Sequence, residues 1–298
     1  MDKNNFSNLK AKKSLGQNFL KSKKALKDMI GAGEVGENDI VLEAGPGKGA
    51  LTEELLKKAG KVIAVEKDDM LVEFLRDKFK VEIESGKLEL VHDDILNFNP
   101  TTYPPATPEQ THSCDGGRGH LPPTTFPSQS TTFKLIANIP YYITGQFLRK
   151  FLSGDTRPSK MVILLQKEVV KRIVANDGKE SILSISIKAY GRPKNIGKVS
   201  KESFSPKPKV DSAILLIDNI SRDFFDGIDE KRFFDIMKAG FAHKRKLLAG
   251  NLEHSKDSTW KEKNREEIEE IFKNCGIPPK ARAEDLKIEQ WKCLSSNI

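Results

Sequence analysis

Short apolar runs alternate with stretches of helical spacing along the first two thirds of the chain. Ile40–Ala44, Lys61–Glu66, Leu88–Val91, Phe133–Ala137 and Met161–Leu165 read as buried strands. Leu51–Lys58, Met70–Phe79, Gln146–Leu152 and Lys167–Val174 read as helices; in the second, Met70, Leu71, Phe74 and Leu75 form one apolar stripe. Strands alternating with helices predict an α/β fold of the Rossmann-like kind, a parallel sheet covered on both faces. Ile182–Ala189 and Ser212–Asp218 have no long helix between them and read as an antiparallel pair closing one sheet edge. Beyond Asp218 the pattern is helical only, with Phe233, Ile236, Met237 and Phe241 in one stripe and Ile268, Ile271 and Phe272 in another. The expected division is an α/β portion, 1–222, and a small all-helical domain, 223–298. Asn99–Thr132 fits neither: it holds seven of the 15 prolines and eight threonines, a composition that predicts a disordered loop inserted between two strands.

Composition narrows the class. A chain of 298 residues with 37% hydrophobic content and a net charge of +8 is expected to be soluble and basic, with a core that needs no structural metal. Met1–Lys13 is polar and lysine-rich with no apolar signal region, and the longest apolar runs are five residues, so neither membrane insertion nor export is expected. Cys114, Cys275 and Cys293 are far apart, odd in number and never in a C-x-x-C pair. They predict bystander thiols in a reducing, cytoplasmic setting. His112, Cys114, Asp115 and His120 match no standard ligand spacing, so no metal site is expected.

The charge is unevenly placed. Met1–Lys27 carries eight lysines against one acid, Arg192–Lys209 carries six basic residues against one, and Lys238, Lys244, Arg245 and Lys246 form a third group. Such clusters suit a polyanion, because each neutralised phosphate releases counterions; a merely solvated surface is the competing reading.

Candidate chemistry lies where strands end. Glu43-Ala44-Gly45-Pro46-Gly47-Lys48-Gly49 joins a predicted strand to a predicted helix, and its glycines let backbone approach a ligand closely. The spacing is G-x-G-x-G, unlike dinucleotide or Walker loops. Glu66 ends the next strand, where a carboxylate can accept from ribose hydroxyls, so an adenosine-containing ligand without a diphosphate fits. Asn138-Ile139-Pro140-Tyr141 follows another strand. An adenine amine is a poor nucleophile, and two acceptors, the Asn138 side-chain oxygen and a backbone carbonyl held by Pro140, would favour a pyramidal nitrogen, with Tyr141 as a stacking surface. No His, Cys or paired carboxylate accompanies these motifs to serve as general base or nucleophile.

Together with Leu15–Leu20 (LGQNFL), Leu165–Val169 (LQKEV) and Phe204–Ser212 (FSPKPKVDS), these motifs resemble the ribosomal RNA adenine N6,N6-dimethyltransferases, specifically the small-subunit type. The resemblance covers nearly the whole chain outside the insertion. It implies a class I methyltransferase sheet, S-adenosylmethionine as methyl donor, and dimethylation of two adjacent adenosines near the 3′ end of 16S ribosomal RNA on the small ribosomal subunit. By this resemblance Asn18, Leu20, Gly45, Glu66, Asp94 and Asn138 contact the donor, with Gln17, Glu43 and Gly47 beside them, and Asp93 remains an alternative to Asp94. Asn138, Pro140, Tyr141 and Phe204 would hold the target base, Phe204 as a second aromatic surface. RNA contact falls to Lys12, Lys13, Lys207, Lys209, Lys244, Arg245 and Lys246, the last three on the first helix of the small domain. Phe241–Leu252 and Ile277–Leu286 look like the small-subunit group. A monomer without an obligate protein partner is expected. The rivals are a large-subunit RNA methyltransferase of the drug-resistance type, a DNA adenine methyltransferase, and a non-catalytic assembly factor that kept the fold.

Overall fold

The computed structural model describes residues 9–12, 15–100, 132–254 and 264–297. The expected disordered insertion and the four residues weighed as metal ligands fall, apart from the insertion's ends, outside the described residues. The chain divides into two compact units, Met1–Leu165 with Lys198–Ile214, and Gln166–Gly197 with Leu215–Ile298.

The elements follow in chain order. A two-residue strand, β1 (Phe19–Leu20), precedes α1 (Lys23–Ala32). Then come β2 (Ile40–Ala44), α2 (Ala50–Leu56), β3 (Lys61–Glu66), α3 (Asp69–Lys78), α4 (Lys80–Glu84) and β4 (Leu88–His92). β5 (Phe133–Ala137), α5 (Thr144–Ser153), β6 (Lys160–Gln166), α6 (Lys167–Val174) and α7 (Ile182–Lys188) lead to β7 (Arg192–Val199), β8 (Phe204–Ser205) and β9 (Ser212–Asp218). The remainder is α8 (Glu230–Gly240), α9 (Leu248–Glu253), α10 (Arg265–Asn274) and α11 (Ile288–Ser296). Among the described residues the main sheet has seven strands in the order β4-β3-β2-β5-β6-β9-β7. The expected Rossmann-like α/β fold is what forms.

The order follows from the sequence. Val41, Leu42 and Ala44 of β2, Val62–Val65 of β3 and Leu135–Ala137 of β5 are all buried, as strands of a parallel sheet covered on both faces must be. β2 pairs in parallel with β3 on one side and β5 on the other, Ala44 standing level with Val65 and with Ala137. β4 extends the sheet beyond β3, with His92 opposite Glu66. The strand order therefore reverses at β2, and the loops after β2, β3, β4 and β5 emerge along one edge, where open α/β sheets bind their ligands.

Two expectations need correction. Ile182–Lys188 is a helix, not an edge strand. Its alternating Ile and Ser positions mimic a strand, but Ser181 and Ser184 form a capping box: Ser184 N–H donates to Ser181 Oγ at 3.2 Å and Ser181 N–H to Ser184 Oγ at 2.7 Å. The edge is instead Arg192–Val199, which its charge marked only as a basic cluster; Pro193 is tolerated there because an edge strand leaves one side unpaired. The cysteine expectation also fails in part. Cys275, capping α10, and Cys293, on α11, form a disulfide with Cα atoms 5.6 Å apart. Packing of two helices brings together residues 18 apart, which spacing along the chain could not reveal.

The second unit has its own core. Phe224, Phe225, Phe233 and Phe234 meet edge to face, and Tyr190 stacks on Phe234. Trp291 is fully buried and stacks on Phe241.

The turn into α2 is tightly built. Gly49 sits at φ +74°, and a β-carbon there would lie 2.5 Å from the Phe79 ring and 2.9 Å from Leu75. Gly49→Ala is expected to cost about 2–4 kcal/mol, from left-handed strain plus overpacking, read as a lower urea midpoint; an unchanged midpoint would contradict this packing.

Candidate active site

The site grows from the aligned strand ends. After β2, Gly45, Gly47 and Gly49 all adopt positive φ, so the loop hugs the sheet edge; a β-carbon on Gly47 would stand 2.9 Å from the Phe19 ring. Glu66 ends β3, Asp93 and Asp94 follow β4, and Asn138 follows β5. With Leu15–Leu20 these loops enclose a cleft of about 220 Å³, and Gln17, Asn18, Leu20, Glu43, Gly45, Gly47, Glu66, Asp94, Asn138, Pro140 and Tyr141 all line it. The loops that sequence reading singled out thus converge on one cavity within the first unit.

Two of its acids are buried. Glu66 Oε2 accepts from Gly47 N–H at 3.0 Å, and Oε1 accepts from the N–H groups of Lys67 at 2.9 Å and Asp68 at 3.0 Å. Burial pushes this carboxyl up, and the three backbone donors pull it back. Oε2 carries one donor and retains acceptor capacity. Glu43 is 1% exposed, its Oε2 has no hydrogen-bond partner, and burial pushes its carboxyl up to about 8 despite the opposing pull of Thr52. Both Asp93 and Asp94 line the cleft. Asp94 Oδ2 pairs with Lys67 at 2.8 Å and Oδ1 accepts from Leu96 N–H at 3.0 Å; burial opposes its charge most, but Lys67, the Leu96 N–H and the charge of Lys150 together hold the carboxyl below its usual range.

Asn138 is oriented. Its Nδ2 donates to the Asn18 carbonyl at 3.1 Å, which turns Oδ1, an acceptor, away from that carbonyl. Tyr141 is half-buried and its hydroxyl is bonded to Ser212 Oγ at 2.7 Å. Two neighbours went unread in the sequence. Tyr142, 66% exposed, lines the cleft beside Tyr141, and Gly16 at φ +61° makes room for it: a β-carbon there would lie 3.4 Å from both Pro140 and the Tyr142 ring. Asp68 accepts from Lys12 Nζ at 2.7 Å and from Gln17 Nε2 at 2.9 Å. A tyrosine repeated after a motif and an aspartate at a helix N-cap were the only signals available for them.

Other expected site residues lie elsewhere. Phe204 is buried at 3% exposure, pairs through its backbone with Leu20, and does not line the cleft. Lys12 is engaged by Asp68 and Lys207 by Glu202, while Lys209 is exposed; Lys13 lies outside the described residues. Lys244, Arg245 and Lys246 are exposed, but they sit in the turn after α8, not on a helix. The Gly240 carbonyl that would continue the helix accepts instead from Asn251 Nδ2 at 2.6 Å. Among the described residues no cluster of metal-ligating side chains occurs and no helix is long and apolar enough to cross a membrane.

The Glu43 environment gives a pH dependence with a definite sign. The folded protein keeps this proton to about pH 8, whereas the unfolded chain releases it near the ordinary glutamate value. Between those limits the unfolded state binds fewer protons, so stability falls as pH rises, by up to ~1.4 kcal/mol per pH unit, and levels off above. Glu43→Gln is expected to flatten that slope and to exceed the wild type in stability by a few kcal/mol near pH 8 in urea unfolding. Parallel profiles for the two proteins would contradict it.

The comparisons agree with this geometry. The profile of the family described as ribosomal RNA adenine dimethylase matches residues 8–297. A protein of Dehalococcoides mccartyi (strain CBDB1) named ribosomal RNA small subunit methyltransferase A is 39% identical over 286 residues, covering 96% of this chain and 88% of its own. One of the same name from Clostridium botulinum (strain Okra) is 33% identical over 293 residues, covering 97% and 94%. Among solved structures, a dimethyladenosine transferase from Plasmodium falciparum aligns at TM-score 0.69 with 24% identity, covering 93% of this chain and 96% of that one. The 23S rRNA methyltransferase ErmE aligns at TM-score 0.69 with 23% identity, covering 94% and 99%, and so shares the fold. A sheet whose adjacent strand ends deliver the glycine loop, Glu66 and Asn138 to one cleft, in a chain matched almost end to end by that profile, belongs to the ribosomal RNA adenine dimethylase family.

Proposed function

We propose that the protein transfers methyl groups from S-adenosylmethionine to the N6 amines of two adjacent adenosines in a loop near the 3′ end of small-subunit ribosomal RNA, during subunit maturation. The observation that carries this reading is the seat of Asn138: at the end of β5, beside the glycine loop, its amide nitrogen is tied to Asn18 and its oxygen turned elsewhere. The names of relatives 33–39% identical support the small-subunit target.

The residues present fit the donor. Glu66 retains an acceptor lone pair for a ribose hydroxyl, and the partnerless Glu43 Oε2 can accept from a donor group reaching the base of the cleft. Gly45 and Gly47 leave room for close backbone approach, and Asp93 or Asp94 would meet the adenine amine. S-adenosylmethionine supplies an electrophilic methyl group on a sulfonium sulfur. Asn138 Oδ1, with a carbonyl held by Pro140, would accept from the target N–H groups and favour the pyramidal nitrogen that transfer requires, in a place where preorganised acceptors cost no reorientation. The Ser212 bond anchors Tyr141, and Tyr142 presents the exposed aromatic face that an unstacked purine would meet. Phe204, being buried, contributes through the backbone pairing of β8 with Leu20.

Lys209, Lys244, Arg245 and Lys246, with Lys13, supply charge for RNA phosphates, which would position the enzyme without reading the base, whereas Lys12 and Lys207 already face Asp68 and Glu202. The portion from 223 onward is proposed as the RNA-binding part, and the protein is proposed to act as a monomer in the cytoplasm on the immature small subunit.

One experiment separates the rivals. With labelled donor and immature small subunits, naked large-subunit RNA or duplex DNA, label is expected in the small subunits alone, and Asn138→Ala is expected to lower transfer by about 10²-fold or more. Tyr142→Ala is expected to raise KM for subunits about tenfold, the scale of one lost stacking contact. Label confined to large-subunit RNA or DNA would overturn the assignment, and binding of subunits without label would favour the assembly-factor reading.

A further inference from the structure

Asp68 stands apart from the residues assigned above, yet it is where the site's two halves are joined. It lies two positions beyond Glu66, caps α3 by accepting from Met70 N–H at 3.1 Å, and is 4% exposed. Its own N–H is one of the donors fixing Glu66 Oε1. Its two carboxylate oxygens reach back more than fifty residues, Oδ1 to Lys12 Nζ at 2.7 Å and Oδ2 to Gln17 Nε2 at 2.9 Å, while Gln17 Oε1 accepts from Lys12 N–H at 2.7 Å. The next residue, Asn18, offers the carbonyl that receives Asn138 Nδ2. The segment around Gln17 has little regular structure of its own to hold it, and a helix cap alone needs only one of the two oxygens.

We propose that Asp68 is a positioning residue that straps Lys12 and Gln17 against the cleft, so that one residue fixes Glu66 through its backbone N–H and the seat of Asn138 through its carboxylate. The proposal rests on the methyl-transfer reading for its consequence and on the hydrogen bonds alone for its geometry. Removing the strap would loosen Gln17 and Asn18, and the Asn138 amide would lose the partner that orients it. Asparagine is the discriminating replacement. Asp68→Asn caps a helix as well as aspartate does, but it puts an N–H₂ group where one of two donors was accepted and removes the charge facing Lys12.

The test uses the full-length protein in two measurements. In hydrogen exchange without ligand, the amides of Lys12 and Leu15, which donate to Gln17 Oε1 and to the Lys12 carbonyl, are expected to lose about tenfold of their protection in Asp68→Asn, with the melting temperature held within about 2 °C by the intact cap. In titration calorimetry the Kd for S-adenosylmethionine is expected to rise about tenfold. Gln17→Leu is expected to weaken binding comparably, and the double variant to be no worse than Asp68→Asn alone within twofold, since both remove one interaction. Unchanged exchange with unchanged Kd, or multiplying effects in the double variant, would overturn the proposal. Protection lost in the variant of a protein whose wild type takes up no donor would support the strap and overturn the methyl-transfer reading instead.

Discussion

The register of three parallel strands is the constraint on which the site depends. Ala44, Val65 and Ala137 stand level across β2, β3 and β5, so the chain leaves all three strands at one height. Gly45, Glu66 and Asn138 are neighbours for that reason, although about ninety residues separate the first from the last. A one-residue slip would turn every strand side chain to the opposite face, into a layer packed for different residues, so the close packing that builds the core also holds the site in register. Packing and function share one cause here.

Much of this was legible because parallel strands leave a strong mark. Ile40–Ala44, Lys61–Glu66 and Phe133–Ala137 are mainly apolar runs, broken only by Glu43, Lys61 and Lys134, that end at glycine, acid or asparagine, and each forms the strand expected, with those residues at its exit. The sequence misled where a local interaction outweighed periodicity. Ser181 and Ser184 turn an alternating stretch into a helix, and Asn251 takes the Gly240 carbonyl and ends α8 before the basic trio. Neither event leaves a trace in hydrophobic spacing.

Contacts between distant residues were the least visible. Nothing near Asp68 in sequence announces Lys12 or Gln17, and nothing near Cys275 announces Cys293. Phe204 shows the converse: a motif marks it as a base-gripping aromatic, whereas β8 turns it inward and Tyr142, unmarked, faces outward at the cleft. Local patterns record which side chains a segment carries. Which of them face solvent depends on a strand pairing, β1 with β8, contributed by segments nearly two hundred residues apart.

The central claim is that the Asn138 oxygen waits for an adenine amine at the mouth of a cleft whose other walls hold the methyl donor. A crystal structure with S-adenosylhomocysteine and adenosine tests it most directly. The account predicts the nucleoside N6 about 3 Å from Asn138 Oδ1, with the ribose of the bound donor product on Glu66. Adenosine seated elsewhere, or Asn138 turned with its nitrogen toward the base, would contradict it.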